Sequence, residues 1–166
     1  MLISEIDQRL LFPSLPARNW EEALDLITDK MIQCGYVYPT YKEAVKQRER
    51  EYPTGFKVIG GIGAAIPHAE PGHVIRPVTA VASLREPVLF KDMEGGETKI
   101  SLIFLQAILD PSDHIDTMSE IVMLLRDTGN VKALLSASDP QQMLSVLEIF
   151  ERRYKSTLLC RKDENA

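Results

Sequence analysis

The chain has 166 residues, 45% apolar and 26% charged, and its 19 lysines and arginines against 24 aspartates and glutamates give a net charge of −5. That length suits one ordinary domain able to bury roughly two-thirds of its unfolded surface, so the composition excludes disorder or a fibre as the main state. No basic cluster stands out, which argues against nucleic acid as a partner. The longest apolar stretch, Ile100 to Leu109, is broken by Ser101 and Gln106 and falls well short of the ~20 residues a bilayer span needs. The N-terminal MLISEIDQRLLF has no basic region followed by an apolar one, so no secretory signal is expected. Cys34 and Cys160 are far apart and form no CxxC pair, which fits a reducing, cytoplasmic location.

Asn19 followed by Glu22, with Gly35 beyond, predicts a capped helix from Trp20 to Cys34 with Ala23, Leu24, Ile27, Met31 and Ile32 on its apolar stripe. Thr40 and Glu43 repeat the capping pattern for a more polar helix that Pro53 stops by Glu51. Gly60, Gly61 and Gly63 then lead a loop into a short small-residue strand, Ala64 to Ile66. Val78 to Leu84 and Ile100 to Leu109 read as strands, the second buried on both faces, with a short strand at Val88 to Phe90 between them. Ile115, Met118, Ile121, Val122 and Leu125 recur at helical spacing, with Ser112 as the expected cap. A short helix at Val131 to Ser136 and a last one from Pro140 to Tyr154, capped by Asp139, complete the order. The expected fold is α/β: a single domain, residues 1–158, with a mixed β-sheet flanked by helices, and a charged tail, residues 159–166.

His68 ends the run Gly61-Ile-Gly-Ala-Ala-Ile-Pro-His and precedes Ala69-Glu70-Pro71-Gly72. A histidine delivered by small residues to a strand end is rigidly presented, and glycine and alanine would let another molecule approach the backbone there. Nucleotide binding is poorly supported, because Gly61-Ile62-Gly63 has neither the third glycine of a dinucleotide fingerprint nor the lysine of a P-loop. The spacing of His68, Glu70 and His73 matches no metal-ligand pattern, so no metal is expected. Neither cysteine nor any serine lies in a nucleophile motif.

Ala64-Ala65-Ile66-Pro67-His68-Ala69-Glu70 resembles the active-site signature of the enzyme IIA domains of the fructose-mannitol class of the bacterial phosphoenolpyruvate-dependent sugar phosphotransferase system. Upstream, Arg48-Glu49-Arg50-Glu51-Tyr52-Pro53-Thr54-Gly55 resembles the Arg-Glu-x-x-x-x-Thr-Gly stretch of the same family, and the combination is most similar to galactitol-type IIA proteins. The resemblance covers roughly residues 5–155. It implies a phosphohistidine relay without a cofactor, in which His68 accepts a phosphoryl group from the phosphocarrier HPr and passes it to a cysteine of a IIB component. The membrane IIC component stands behind IIB, and on this reading both reside on other chains. His114, at the start of the helix after the buried strand, is expected to face His68 and stabilise the transferring group, a place where the resembled family commonly has a second histidine. The resemblance makes Arg48 an orienting residue. Thr54, in the turn after Pro53, is expected to offer its hydroxyl to the group, the alternative being a turn threonine that satisfies backbone. Arg50 is equal to Arg48 on physical grounds, and only the motif register favours Arg48; His73 is expected to be peripheral. Ala69, following His68, is expected at the rim where a partner docks. A regulatory module related to the nitrogen-related IIA proteins, in which phosphorylation is a signal, is the alternative function.

Overall fold

The computed structural model describes residues 2–163. Its strands are β1 (Leu11–Leu15), β2 (Phe56–Lys57), β3 (Gly63–Ala65), β4 (Val78–Lys91) and β5 (Glu97–Ala107). Its helices are α1 (Trp20–Gln33), α2 (Tyr41–Glu51), α3 (Pro111–Leu125), α4 (Thr128–Ser136) and α5 (Pro140–Asp163). The strands form one sheet in the order β1-β4-β5-β3-β2. The pairs β1–β4 and β3–β5 are parallel, and the pairs β4–β5 and β2–β3 antiparallel.

The near-continuous apolar sequence of the two central strands follows from burial on both faces. Ile103 and Leu105 of β5, with Ala80 and Ala82 of β4, point into a core shared with Leu24, Ile27 and Met31 of α1 and Val45 of α2. Their neighbours Leu102, Phe104 and Val81 point the other way, against Ile121 and Leu124 of α3, Leu134 of α4 and Leu147 of α5. The period of two along the strands thus divides the interior into two apolar layers, one on each side of the sheet.

Several sequence expectations change in detail. Strand β1 was not anticipated, since Pro13 interrupts its pattern and Ser14 adopts a positive φ of 54°; it is tolerated because β1 is an edge strand. The segments expected as separate strands at Val78 and Val88 form one strand with an irregularity between Ser83 and Val88. Asn19 caps α1 through its bond from the Glu22 amide, as the sequence indicates. Thr40 does not cap α2: its backbone is already helical, and its hydroxyl lies 2.9 Å from Nδ1 of His73. Asp110, not Ser112, caps α3, with Pro111 in the first turn. Helix α5 runs past Tyr154 to Asp163. The side chain of Cys160 lies outside the described residues.

Candidate functional site

The parallel pairing of β3 with β5 builds the site. Both strands end at the same sheet edge, so the segments leaving them meet there. His68 comes three residues after β3, and His114 sits in the opening turns of α3 just beyond β5. Their ring centroids are 4.6 Å apart and inclined at 50°. The sequence places these residues 46 positions apart, and the crossover topology brings them into ring contact.

The backbone around His68 is fastened to the end of β5. The Gln106 amide donates to the Pro67 carbonyl at 2.9 Å, and a bridge pairs His68 with Gln106. Behind them the hydroxyl of the fully buried Tyr41 donates to the Gln106 carbonyl at 2.7 Å. The small residues before His68 serve this internal fit. Gly63, Ala64 and Ala65 are buried, and a Cβ on Gly63 would fall 2.1 Å from the Lys99 carbonyl of β5. The expectation that they open the backbone to an outside molecule is corrected accordingly. Ala69 is corrected likewise: at 3% exposure it belongs to the core and not to a rim.

His68 is half-buried, and its Nδ1 lies 3.3 Å from the carbonyl oxygen of Ile66. A carbonyl only accepts, so Nδ1 carries the proton, and in the neutral ring the lone pair is on Nε2. Burial holds His68 below the ordinary histidine pKa, with the positive charge of Arg48 acting in the same direction; the bond to Ile66 and the charge of Glu70 oppose this. Burial, followed by the charges of His68 and Arg48, pushes His114 down to about 4. Both rings are therefore neutral near pH 7. Nδ1 of His114 is enclosed and has no hydrogen-bond partner among the described residues.

The last turn of α2 supplies three successive residues that point differently. Arg48 reaches the rim, its guanidinium 4.2 Å from the Tyr52 ring centroid and 4.0 Å from a Glu70 carboxylate oxygen. Arg50 instead turns to Glu21 and the Trp20 ring, so of the two arginines only Arg48 acts on both histidines. Glu49 turns inward and is 5% exposed. Its carboxylate accepts from the Thr54 amide at 2.8 Å and from the Thr54 hydroxyl at 2.9 Å. The same hydroxyl oxygen accepts from the Ile66 amide at 3.1 Å. The single proton of the Thr54 hydroxyl is thus directed to Glu49, and the expectation that this hydroxyl donates to the transferring group is corrected accordingly. Glu49 escaped the functional reading of the sequence, although it lies inside the Arg-Glu motif; its inward direction depends on the turn at Pro53 that folds Thr54 back onto α2.

His73 stands apart, bonded to Thr40. Among the described residues no group of three histidine, cysteine or acidic side chains is placed to hold a metal ion.

The chain is similar to proteins of one known family. The family described as the phosphoenolpyruvate-dependent sugar phosphotransferase system, EIIA 2, matches residues 5–149, and the chain belongs to that family. It is 27% identical over 148 residues to the mannitol-specific EIICBA component of Vibrio cholerae, covering 87% of this chain and 22% of that protein. The 2-O-alpha-mannosyl-D-glycerate-specific EIIABC component of Escherichia coli is 30% identical over 134 residues, covering 77% of this chain and 20% of that protein. The chain thus spans about a fifth of the length of these two relatives. Its fold matches enzyme IIA of the mannitol system in the Escherichia coli complex with phosphorylated enzyme IIB, with a TM-score of 0.72, 22% identity and coverage of 86% of this chain and 96% of that one. The chain is a single α/β phosphotransferase domain of the IIA type.

Proposed function

We propose that His68 is the phosphoryl acceptor, that phospho-HPr is its donor, and that a cysteine of a IIB component receives the group in turn. The observation that carries this reading is the contact between two neutral histidines at the shared end of β3 and β5, with Arg48 beside them. Nε2 of His68 attacks phosphorus, the P–N bond of the donor phosphohistidine breaks, and its electron pair returns to the donor nitrogen. His68 keeps the proton on Nδ1, so its phosphorylated ring is cationic and its bond to the Ile66 carbonyl strengthens. Arg48 orients and neutralises the phosphoryl oxygens, and His114 donates to them from Nε2, its Nδ1 being enclosed. In the second step a thiolate sulfur attacks phosphorus and the bonding pair returns to Nε2, restoring the neutral ring.

Each part has its support. The IIB role is supported by the likeness to a IIA chain solved with phosphorylated IIB, and the link to IIC by relatives designated EIICBA and EIIABC. Among the described residues no helix is long and apolar enough to cross a membrane, which fits a domain working at the cytoplasmic face. Galactitol or a related polyol is proposed as the carbohydrate from Glu51-Tyr52-Pro53-Thr54-Gly55.

Incubation with phosphoenolpyruvate, enzyme I and HPr, followed by mass spectrometry at alkaline pH, tests the acceptor: one phosphoryl group on His68 is expected. Addition of a purified galactitol-type IIB then empties His68 and loads the IIB cysteine. Phosphate on His73 or His114, or none, overturns the reading. A phosphorylated protein that serves no IIB of its own genome turns the transport role into a signalling one.

A further inference from the structure

The geometry points to Glu49 and Thr54 as positioning residues that hold the His68 ring in the tautomer with its lone pair on Nε2. The inference rests on the proposed role of His68 and adds an origin for its orientation. Four groups form one line of hydrogen bonds. The Glu49 carboxylate accepts from both the amide and the hydroxyl of Thr54. The Thr54 hydroxyl has a single proton, and Glu49 takes it; its oxygen then accepts the Ile66 N–H. The Ile66 carbonyl accepts from Nδ1 of His68. Residue 66 is therefore gripped on its N–H side by a side chain anchored in α2, while its carbonyl is aimed at the nucleophile's ring.

The hydrogen bonds of Glu49 end on Thr54 and that of His68 on Ile66, so the two side chains are linked through the intervening groups. The carboxylate fixes the hydroxyl rotor of Thr54. Without that acceptor the rotor is free to turn, and the Ile66 amide loses a defined partner in a buried setting. A loosened Ile66 weakens the hydrogen bond that, among the described residues, distinguishes the two ring nitrogens of His68. The proton then redistributes toward Nε2, where it blocks the lone pair that must attack phosphorus. Chemistry sensitive to displacements near 1 Å amplifies such a change.

The test uses the full chain labelled with ¹⁵N, with long-range ¹H–¹⁵N spectra reporting which His68 nitrogen is protonated. The rate of phosphorylation by phospho-HPr is measured on the same samples. The wild type is expected to carry the His68 proton on Nδ1. Thr54→Val keeps the shape but removes the hydroxyl, and it is expected to give a tautomer mixture and a rate about 10- to 100-fold lower. Thr54→Ser restores the hydroxyl and is expected to recover both properties. Thr54→Ala, which introduces no new apolar contact with the carboxylate, serves in the same way should the valine variant not fold. A role confined to stability lowers the unfolding midpoint but leaves the tautomer in place, so a folded Thr54→Val or Thr54→Ala protein with the wild-type ring state overturns the proposal. A wild-type ring protonated on Nε2 overturns it as well. If the tautomer responds as expected but phospho-HPr delivers nothing to the wild type, the positioning stands and the relay reading falls.

Discussion

The inner and outer sides of the site are built to different standards. On the inner side Glu49, Thr54 and Ile66 are joined by bonds of 2.8–3.1 Å, with the carboxylate almost wholly out of water. On the outer side Arg48 meets Glu70 only at 4.0 Å, and the Glu70 side chain is 75% exposed. The contrast separates two needs of a group-transfer site. A nucleophile has to be presented in one orientation, whereas the charges that greet a phosphoryl group must change partners when it arrives and leaves. Buried, fully paired polar groups supply the first property, and a solvent-screened ion pair that contributes little energy supplies the second.

The largest effect belongs to the nucleophile. His68→Ala is expected to abolish phosphoryl uptake while preserving the fold, checked by mass spectrometry and circular dichroism. His114→Ala comes next. Loss of one donor to the transferring group in comparable oxyanion sites costs ~2.7–4 kcal/mol, so its transfer rate is expected to fall roughly 10²- to 10³-fold in stopped-flow measurements. A change under about threefold would place His114 outside the charge-stabilising set.

The inner side makes a prediction about stability. Burial, opposed by the two Thr54 bonds, raises the Glu49 pKa from 4.5 to about 7. Between those values the native state binds more protons than the unfolded state, so this group's contribution is complete below pH 4.5 and is lost as pH rises through 7. Relative to Glu49→Gln, the wild type is expected to lose about 3 kcal/mol of unfolding free energy between pH 4 and pH 8. Urea unfolding of both proteins at several pH values checks this, and parallel curves would refute it. The histidines have the opposite sign: their lowered pKa values stabilise the fold above pH 6.5, and that contribution is lost on acidification, toward pH 4 for His114. The smallest effect lies at the rim. Glu70→Gln releases Arg48 from a loose, exposed partner, so stability should shift by less than about 1 kcal/mol. A loss of several kcal/mol would mean that the outer side is as tightly built as the inner.

The sequence carried the layered fold because its period changes are strong. A run such as Ile100 to Leu105 is short, aliphatic and bounded by turn residues, which favours a strand buried on both faces over a helix. It did not carry β1, where Pro13 breaks the pattern and pairing at an edge restores it. Nor did local pattern reveal the occupation of Thr40 by His73, since a cap is decided by a residue 33 positions away. At the site, the strand-end and helix-start positions of His68 and His114 were legible, and the fold brings the two rings into contact. Between Arg48 and Arg50 local physics gave no preference, and only the motif register pointed to Arg48. The inward role of Glu49 was not, because alternation of direction in the last turn of α2 matters only once the Pro53 turn brings Thr54 beneath it. The small residues before His68 are ambiguous in sequence for a related reason: a strand of glycine and alanine looks the same whether its close neighbour is a partner or, as here, the Lys99 carbonyl of β5.

The central claim is that a single nitrogen, Nε2 of His68, carries the phosphoryl group while Nδ1 keeps its proton. The direct measurement is a long-range ¹H–¹⁵N spectrum of the ¹⁵N-labelled protein after phosphorylation by phosphoenolpyruvate, enzyme I and HPr at alkaline pH. The account predicts a phosphorylated Nε2 and a protonated Nδ1 on His68, with the His114 and His73 rings unmodified. A phosphoryl group on Nδ1 of His68, or on either other histidine, would contradict it.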